Sequence, residues 1–238
     1  MKIAIVGRNT EDLVRIAEKD FGFKIDYFNP EIVISNGGDG SLLGAEHQYP
    51  GILKLGLRDS ETSLKHEQTD VFDAFSKLKH GNFTAKQYIK LEAKSNNKSV
   101  VALNDISIRS SNVLSAIRYT VEINNKDYTG EIIGDGLIVS TPVGSSAYYR
   151  SITKSVFQVG IGLAFNNSIE AVDHLVLDDD VVIKTKITRG PAIAAADNNN
   201  IWINLNTGDE VVIRKHHQKA TLLFIDERKG PFAFTRLV

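Results

Sequence analysis

The hydrophobic pattern of the chain changes near residue 91, and this change is what most limits the folds open to it. Before that point, short apolar runs alternate with stretches of helical periodicity. Strands that alternate with helices are typical of a parallel sheet covered by helices. From residue 92 onward, short strands are separated by turn residues, which is typical of antiparallel sheets. The sequence therefore predicts an α/β N-terminal domain and a mainly antiparallel β C-terminal domain.

The first domain is predicted to span residues 1–91 and to contain a Rossmann-like parallel sheet. Its strands are expected at residues 2–6, 24–28, 32–36 and 51–57, and its helices at residues 11–19 and 68–79. Asn9 and Thr10 are candidate caps for the first helix, and Gly81 follows the last apolar position of the second. These residues set the predicted helix ends.

The second domain is predicted to span residues 92–227 and to consist mainly of hairpins. One hairpin is expected over residues 121–133 and another over residues 201–214, where the sequence Asn-Thr-Gly-Asp forms the turn. Further strands are expected at residues 181–187 and 221–225, with one helix after Ser145.

Composition argues against several functional classes. The 28 basic and 29 acidic side chains give a net charge of −1, which does not suit a nucleic-acid binder that works by bulk charge. The absence of cysteine excludes disulfides, thiolate metal sites and cysteine nucleophiles. No apolar run approaches the roughly 18 residues that span a bilayer, and the histidines show no metal-ligand spacing. We expect a cytoplasmic protein with no membrane or nucleic-acid partner, and we assign no metal ligands.

The strand candidate at residues 32–36 runs into a Gly-Gly-Asp-Gly loop at residues 37–40. Such a loop, at the carboxyl end of a parallel strand, lies where α/β sheets bind ligands. Glycines let backbone N–H groups approach phosphates, and a helix beginning at Ser41 would add partial positive charge. Asp39 then suits a general base for a hydroxyl, or a partner of a phosphate-bound cation. The alternative is a tight turn with a solvated aspartate.

A second motif, GDGLIVSTPVGSSAY, covers residues 134–148. Its small hydroxyl side chains and exposed backbone suit hydrogen bonds to the edge of a flat polar ring, and Tyr148 can wall such a pocket. Asn104 and Asp105 form a third candidate, because an asparagine side chain can both donate to and accept from a nucleoside. The structural alternatives are a turn, a strand and a capped helix for the second motif, and a simple turn for the third.

These three segments resemble the signatures of the NAD kinase family in order and spacing, and the resemblance extends over nearly the whole chain. The loop at residues 37–40 also resembles lipid kinases and phosphofructokinases, whereas the segment at residues 134–148 is characteristic of NAD kinases. The resemblance implies transfer of a phosphoryl group from ATP or polyphosphate to the adenosine-ribose 2′-hydroxyl of NAD, giving NADP. The alternatives are another kinase that shares only the loop, with a lipid or a sugar as substrate, and a dinucleotide-binding sensor without catalysis.

The resemblance also implies roles for the glycine loop. Asp39 would accept the proton of the hydroxyl. Gly37, Gly38 and Gly40 would lie beside the phosphates, with Mg²⁺ or another divalent cation screening their charge. Positioning and electrostatics would have to supply most of the rate, because a carboxylate is a weak base.

The NAD contacts implied by the resemblance fall in the second domain. Asn104 and Asp105 would contact the ribose and adenine, and Asp135 would hold the nicotinamide amide or its ribose, across a subunit interface in a homodimer or homotetramer. The other implied contacts are Ser145, Ser146, Ala147, Tyr148, Ser151 and Asn199. Residues 228–238 would return to the first domain.

Four positions depart from the family pattern. Asp105 stands where glutamate is usual, and Val143 replaces a threonine or serine that offers a hydroxyl. Ile133 occupies a position that is often basic, and Asn199 is one methylene shorter than the usual glutamine. These departures bear on NAD affinity and on the choice of donor, while the proposed base is retained.

Overall fold

A computed structural model describes residues 1–58 and 70–225. The chain forms two units. Unit 1 contains Met1–Tyr88 and the chain from Lys219 onward, and unit 2 is Ile89–Gln218. The domain boundaries predicted from the sequence lie later in the chain, after residue 91 and before residue 228. The predicted return of residues 228–238 lies outside the described residues.

In chain order, the helices and strands of the described residues are β1 (Lys2–Gly7), α1 (Glu11–Lys19), β2 (Lys24–Ile25), β3 (Ile32–Asn36), α2 (Asp39–Gln48), β4 (Leu53–Leu57), α3 (Val71–Lys79), β5 (Thr84–Tyr88), β6 (Leu91–Ser95), β7 (Lys98–Ala102), β8 (Asp105–Ser110), β9 (Ile117–Ile123), β10 (Lys126–Gly134), β11 (Gly136–Ser140), α4 (Tyr148–Thr153), β12 (Ile161–Asn166), β13 (Leu175–Leu177), β14 (Val182–Arg189), β15 (Ala192–Ala196), β16 (Trp202–Leu205), β17 (Glu210–Lys215) and β18 (Ala220–Phe224).

Unit 1 is built on a sheet with the strand order β2-β1-β3-β4-β18-β5. Neighbouring strands from β2 to β18 are parallel, and β5 is antiparallel to β18. Ile34 of β3 and Leu55 of β4 share one core with Leu13 of α1 and Phe75 of α3. This arrangement confirms the predicted α/β class of the N-terminal domain.

Local hydrogen bonds set the ends of several elements in unit 1. The first predicted helix has the range of α1, and Thr10 is its N-cap residue, but the Thr10 side chain makes no capping hydrogen bond. Helix α3 begins at Val71 because the side chain of Asp70 accepts a hydrogen bond from the N–H of Asp73 at 3.1 Å. The strand predicted at residues 24–28 ends at Ile25, since the carboxylate of Asp26 accepts the N–H groups of the two turn residues that follow Tyr27.

The strand predicted at residues 221–225 belongs to unit 1, which corrects its assignment to the β domain. β18 lies between β4 and β5 in the sheet. Its run from Leu222 to Phe224 is buried, as expected for a strand that is covered on both faces. Its partners lie far away in the chain, so local sequence patterns do not reveal the pairing.

Unit 2 consists of two antiparallel sheets, ordered β10-β9-β14-β17-β6-β7 and β13-β12-β11-β8-β15-β16. Tyr119 and Ile183 of the first sheet share one buried core with Ile108 and Val139 of the second. Alternate side chains of β9 and β15 are buried, as expected where one face of a sheet packs on the other. The predicted antiparallel β class of the C-terminal domain is confirmed.

One of the two predicted hairpins is correct and the other is not. β9 and β10 pair around Asn124 and Asn125, both of which have positive φ. β16 and β17 follow each other in the chain, yet β16 pairs with β15 in one sheet while β17 pairs with β14 and β6 in the other. The turn predicted at residues 206–209 is present, but it connects two sheets of the core.

Candidate active site

In unit 1, the glycine loop lies at the carboxyl edge of the parallel sheet. β3 ends at Asn36, and Gly37 follows with a φ of 134°, a conformation that favours glycine. The N–H of Gly37 donates to the carbonyl of Leu57 at the end of β4, at 2.9 Å. The loop is therefore fixed against the neighbouring strand.

Helix α2 begins at Asp39, two residues before the predicted start at Ser41. Gly38 is the N-cap, and its carbonyl accepts the N–H of Ser41 at 3.0 Å. Asp39 and Gly40 therefore occupy the first turn, at the positive end of the helix dipole. Glycines at a helix N-terminus beside a parallel strand can approach a phosphate group closely.

The carboxylate of Asp39 forms an ion pair that the sequence analysis does not anticipate. Nη2 of Arg58 lies 3.1 Å from Oδ1 of Asp39. The Asp39 side chain is about half exposed, whereas that of Arg58 is mostly buried. Arg58 directly follows β4, and the carboxyl ends of parallel neighbours meet at one edge. The guanidinium of Arg58 therefore lies beside the glycine loop, at a position suited to binding an anionic group.

In unit 2, three strand ends converge around Asn104 and Asp105. In the ladders, Asp105 at the start of β8 pairs with Ser140 at the end of β11, and Ile106 pairs with Ala196 at the end of β15. Both Asn104 and Asp105 are buried. The segments that follow β11 and β15 are therefore brought to the same edge as these two residues.

The loop after β11 packs directly on the backbone of Asn104. The N–H of Thr141 donates to the carbonyl of Asn104 at 2.8 Å, and Oγ1 of Thr141 donates to the carbonyl of Leu103 at 2.6 Å. A Cβ atom on Gly144 would lie 2.2 Å from the carbonyl oxygen of Asn104. Only glycine permits this approach of the two segments.

The side chain of Asn104 has an unmatched acceptor. Its Oδ1 is buried and accepts no hydrogen bond from the described part of the chain. A buried carbonyl oxygen without a donor is costly, and such atoms are frequent at binding sites. This oxygen is suited to an N–H or O–H donor supplied by a ligand.

Asp105 and Asp197 form a pair of neighbouring carboxylates. Burial raises the pKa of Asp105 to about 7, and the negative charge of Asp197 acts in the same direction. The Asp197 carboxylate accepts the N–H groups of Leu103, Asn104 and Asp105 at 2.8, 2.8 and 3.1 Å. The resemblance implies an NAD contact for Asn199 in this segment and assigns no role to Asp197.

Asp135 lies at the opposite end of β11 from Asn104 and Asp105. Nδ2 of Asn167 donates to its carboxylate at 2.7 Å. Asp135 and Tyr148 line one pocket, where Nδ2 of Asn166 donates to the Tyr148 hydroxyl at 3.2 Å. The length of β11 separates Asp135 from Asp105 by about 17 Å. Asp135 therefore lies at the opposite edge of the sheet from Asn104 and Asp105.

The remaining predicted contacts fall into two groups. Ser145 is fully buried, and its hydroxyl lies 2.8 Å from the carbonyl of Pro142 and 3.0 Å from that of Phe157, so it shapes the loop. The Oδ1 of Asn199 accepts the N–H of Ile201, which also stabilises a turn. Three other positions, Ser146, Ala147 and Ser151, are at least partly exposed around the start of α4.

The described residues contain no cluster of three or more His, Cys, Asp or Glu side chains that would hold a metal ion. None of the helices in residues 1–58 and 70–225 has the length and apolar character needed to cross a membrane.

Comparisons with known proteins agree on one family. Residues 103–224 match the family described as the ATP-NAD kinase C-terminal domain. An NAD kinase of Sulfurisphaera tokodaii is 32% identical over 180 residues, which cover 71% of each chain. An NAD kinase of Saccharolobus islandicus is 28% identical, covering 94% of this chain and 93% of its own.

Two solved structures have a similar fold. Yeast NADH kinase, complexed with NADH, superposes with a TM-score of 0.78 at 16% identity, covering 97% of this chain and 84% of its own. An NAD kinase from Archaeoglobus fulgidus, in complex with ATP, superposes with a TM-score of 0.77 at 18% identity, covering both chains fully.

Proposed function

The chain belongs to the NAD kinase family, and from this premise we propose how its own residues carry out the reaction. The terminal phosphoryl group of ATP is transferred to the adenosine-ribose 2′-hydroxyl of NAD, giving NADP and ADP. The observation that carries the proposal is the position of Asp39, in the first turn of α2 and directly after the glycines at the sheet edge. Inorganic polyphosphate is the second candidate donor.

In the proposed reaction, Asp39 accepts the proton of the 2′-hydroxyl. The freed oxygen attacks the terminal phosphorus, the bond to the bridging oxygen breaks, and ADP leaves with its electron pair. The N–H groups near Gly38 and the positive end of α2 support negative charge on the phosphates. Arg58 also lies within reach of charge that develops beside Asp39. Asp39 is a weak base, so its position contributes more than its basicity.

A divalent cation such as Mg²⁺ fits this site through the donor. Magnesium in phosphoryl-transfer sites is commonly held by one or two carboxylates together with substrate phosphates. Asp39 offers one carboxylate at the edge of the loop, which agrees with a cation that enters bound to the nucleotide. When bound there, the cation screens the charge of the phosphates.

NAD recognition is assigned to unit 2. The buried Oδ1 of Asn104 accepts a hydrogen bond from the nucleoside, and Asp105 contacts a ribose hydroxyl. Tyr148 lines a pocket with Asp135, and Ala147 and Ser151 line a second pocket at α4, so these residues are proposed to contact other parts of the dinucleotide. Asp135, at the far end of β11, is proposed to act on NAD bound to a second copy of the chain. A homodimer or homotetramer in the cytoplasm is part of this proposal, and light scattering at micromolar concentration tests the oligomeric state.

The first test is phosphoryl transfer from ATP–Mg²⁺ to NAD, followed through a dehydrogenase that uses only NADP. Asp39→Asn is expected to lower kcat by about 10²–10⁴-fold, because it removes the proton acceptor, while the Kd for NAD changes less than about threefold. Asp12→Asn is the matched control. Asp12 also lies in the first turn of a unit 1 helix and pairs with an arginine, Arg15, at 2.7 Å. Its replacement should leave both constants unchanged.

The other outcomes separate the alternatives. Activity only with polyphosphate would retain the family and change the donor. NAD binding without turnover with either donor would indicate a sensor. Equal kcat values for the wild type and Asp39→Asn would contradict the assignment of the base.

A further inference from the structure

Asp197 makes an unusual set of contacts with a segment that is distant in the chain. Its Oδ2 accepts the N–H of Leu103, and its Oδ1 accepts the N–H groups of both Asn104 and Asp105. In return, the N–H of Asp197 donates to the carbonyl of Asp105 at 2.9 Å. Four hydrogen bonds therefore join one residue to three consecutive residues.

These contacts fix the backbone from which the two proposed NAD-binding side chains project. Hydrogen bonds from N–H groups to a carboxylate are stronger than those to a neutral acceptor, and successive N–H groups form a concave anion site. Thr141 holds the same segment from the other side, through the carbonyls of Leu103 and Asn104. Together, the hydrogen bonds of Asp197 and Thr141 restrict backbone rotation in Leu103–Asp105.

We propose that Asp197 is a positioning residue for NAD binding. Its carboxylate holds residues 103–105 in the conformation in which the Oδ1 of Asn104 and the carboxyl of Asp105 meet the nucleoside. This inference rests on the proposed roles of Asn104 and Asp105, and it adds a residue that acts on the site through the backbone of residues 103–105. A buried acceptor without a partner, such as the Oδ1 of Asn104, discriminates only if its position is fixed.

Asp197→Asn is the most direct variant. Asp197 has a φ of 50°, a conformation that asparagine tolerates, so the substitution adds no backbone strain. The amide keeps the shape but replaces one acceptor oxygen with a donor, leaving an N–H of residues 103–105 unmatched. We expect the Kd for NAD to rise about tenfold or more, while the KM for ATP changes less than about threefold.

Asp209→Asn is the matched control. Asp209 is another carboxylate of unit 2 that stabilises a turn, and its oxygens accept hydrogen bonds from the N–H of Asn206 at 2.8 Å and from Nδ2 of Asn96 at 2.9 Å, away from residues 103–105. Its replacement should leave the Kd for NAD unchanged. An equal loss of NAD affinity in Asp197→Asn and Asp209→Asn would overturn the proposal.

A mutant cycle in a background that lacks both binding side chains separates positioning from general stability. If Asp197 acts through Asn104 and Asp105, adding Asp197→Asn to a protein that already carries Asn104→Ala and Asp105→Ala should weaken NAD binding by less than about threefold. Independent, multiplicative effects would overturn the inference. If Asn104→Ala itself leaves NAD affinity unchanged, the proposed nucleoside site fails and the inference fails with it. Weaker binding in Asn104→Ala but not in Asp197→Asn refutes the inference alone.

A second variant covers the case in which Asp197→Asn does not fold. Thr141→Val is isosteric and removes two hydrogen bonds of the hydroxyl, the one that it donates to the carbonyl of Leu103 and the one that it accepts from the N–H of Gly144 at 3.2 Å. It loosens the same segment without touching Asp197, so it is expected to raise the Kd for NAD by about three- to tenfold. Unchanged NAD affinity in a folded Thr141→Val protein would count against the requirement for a fixed segment.

Discussion

At the scale of single residues, Asp105 has a proposed role in NAD binding, and its burial lowers the free energy of unfolding near neutral pH. Burial and the charge of Asp197 raise its pKa from 3.8 to about 7. Between these two values, the folded protein holds a proton that the unfolded chain has released. The free energy of unfolding therefore falls as the pH rises through this range. A carboxyl group that destabilises the fold near neutral pH is consistent with a residue kept for binding.

Asp105→Asn removes this titration and tests its sign. Relative to the wild type, the variant is expected to gain stability as the pH rises from about 5 to about 8, because only the wild type must ionise a buried carboxyl. Urea unfolding at both pH values measures the difference. Asp209→Asn is the control. The backbone hydrogen bond from Asn206 lowers the pKa of Asp209, so that group is ionised throughout the range. A constant difference between Asp105→Asn and the wild type would contradict the raised pKa.

Single residues also show how far the sequence predicts the site. Asp39, Asn104 and Asp105 stand in short motifs, so they could be singled out from local sequence. The contacts of Arg58 and Asp197 could not be predicted in this way, because they depend on which strand ends are neighbours in the fold. The sequence indicates Arg58 only as a charged residue directly after a predicted parallel strand, where α/β sheets bind ligands.

At the scale of elements, the loop between β11 and α4 depends on one glycine. A Cβ atom on Gly144 would lie 2.2 Å from the carbonyl oxygen and 2.8 Å from the Cα of Asn104. Both are backbone atoms of a buried segment, so neither can move aside as a flexible side chain would. The loop and the Asn104 segment must separate if this position carries a side chain.

Gly144→Ala is therefore expected to lower the free energy of unfolding by about 3 kcal/mol and to weaken NAD binding. Gly44→Ala is the matched control, because Gly44 lies within α2 and a Cβ there would meet nothing within 4 Å. That change is expected to stabilise the protein by about 0.5–1 kcal/mol, as alanine is the better helix former. Equal effects of the two substitutions on stability and NAD binding would contradict the close approach.

At the scale of the whole molecule, the change of pattern near residue 91 was sufficient to predict both fold classes. Helical periodicity and alternation of strands are local properties, so α1 and the β9–β10 hairpin could be located from sequence. The position of β18 could not, because a five-residue apolar strand fits either unit equally well. In the structure it lies between β4 and β5, and this position follows from the order of the strands in the unit 1 sheet.

The position of β18 makes the C-terminal part of the chain essential to the N-terminal unit. β5 is joined to the sheet through β18, which pairs with β4 on its other side. In a chain that ends at Gln218, β5 loses that neighbour and the core loses Leu223. We expect the amides of β4 and β5 to lose protection from hydrogen exchange, and NAD phosphorylation to be lost.

Unit 2 is complete in the same truncated chain, since it comprises Ile89–Gln218. Trp202, the single tryptophan of the sequence, lies in β16, so its fluorescence follows unit 2. A cooperative urea transition of this fluorescence should persist after truncation. A chain ending at Ile225 retains β18 and serves as the control, with β5 protected as in the full chain. Protected β5 amides in the chain that ends at Gln218 would show that the sheet does not need β18, and the unit 1 strand order would then have to be revised.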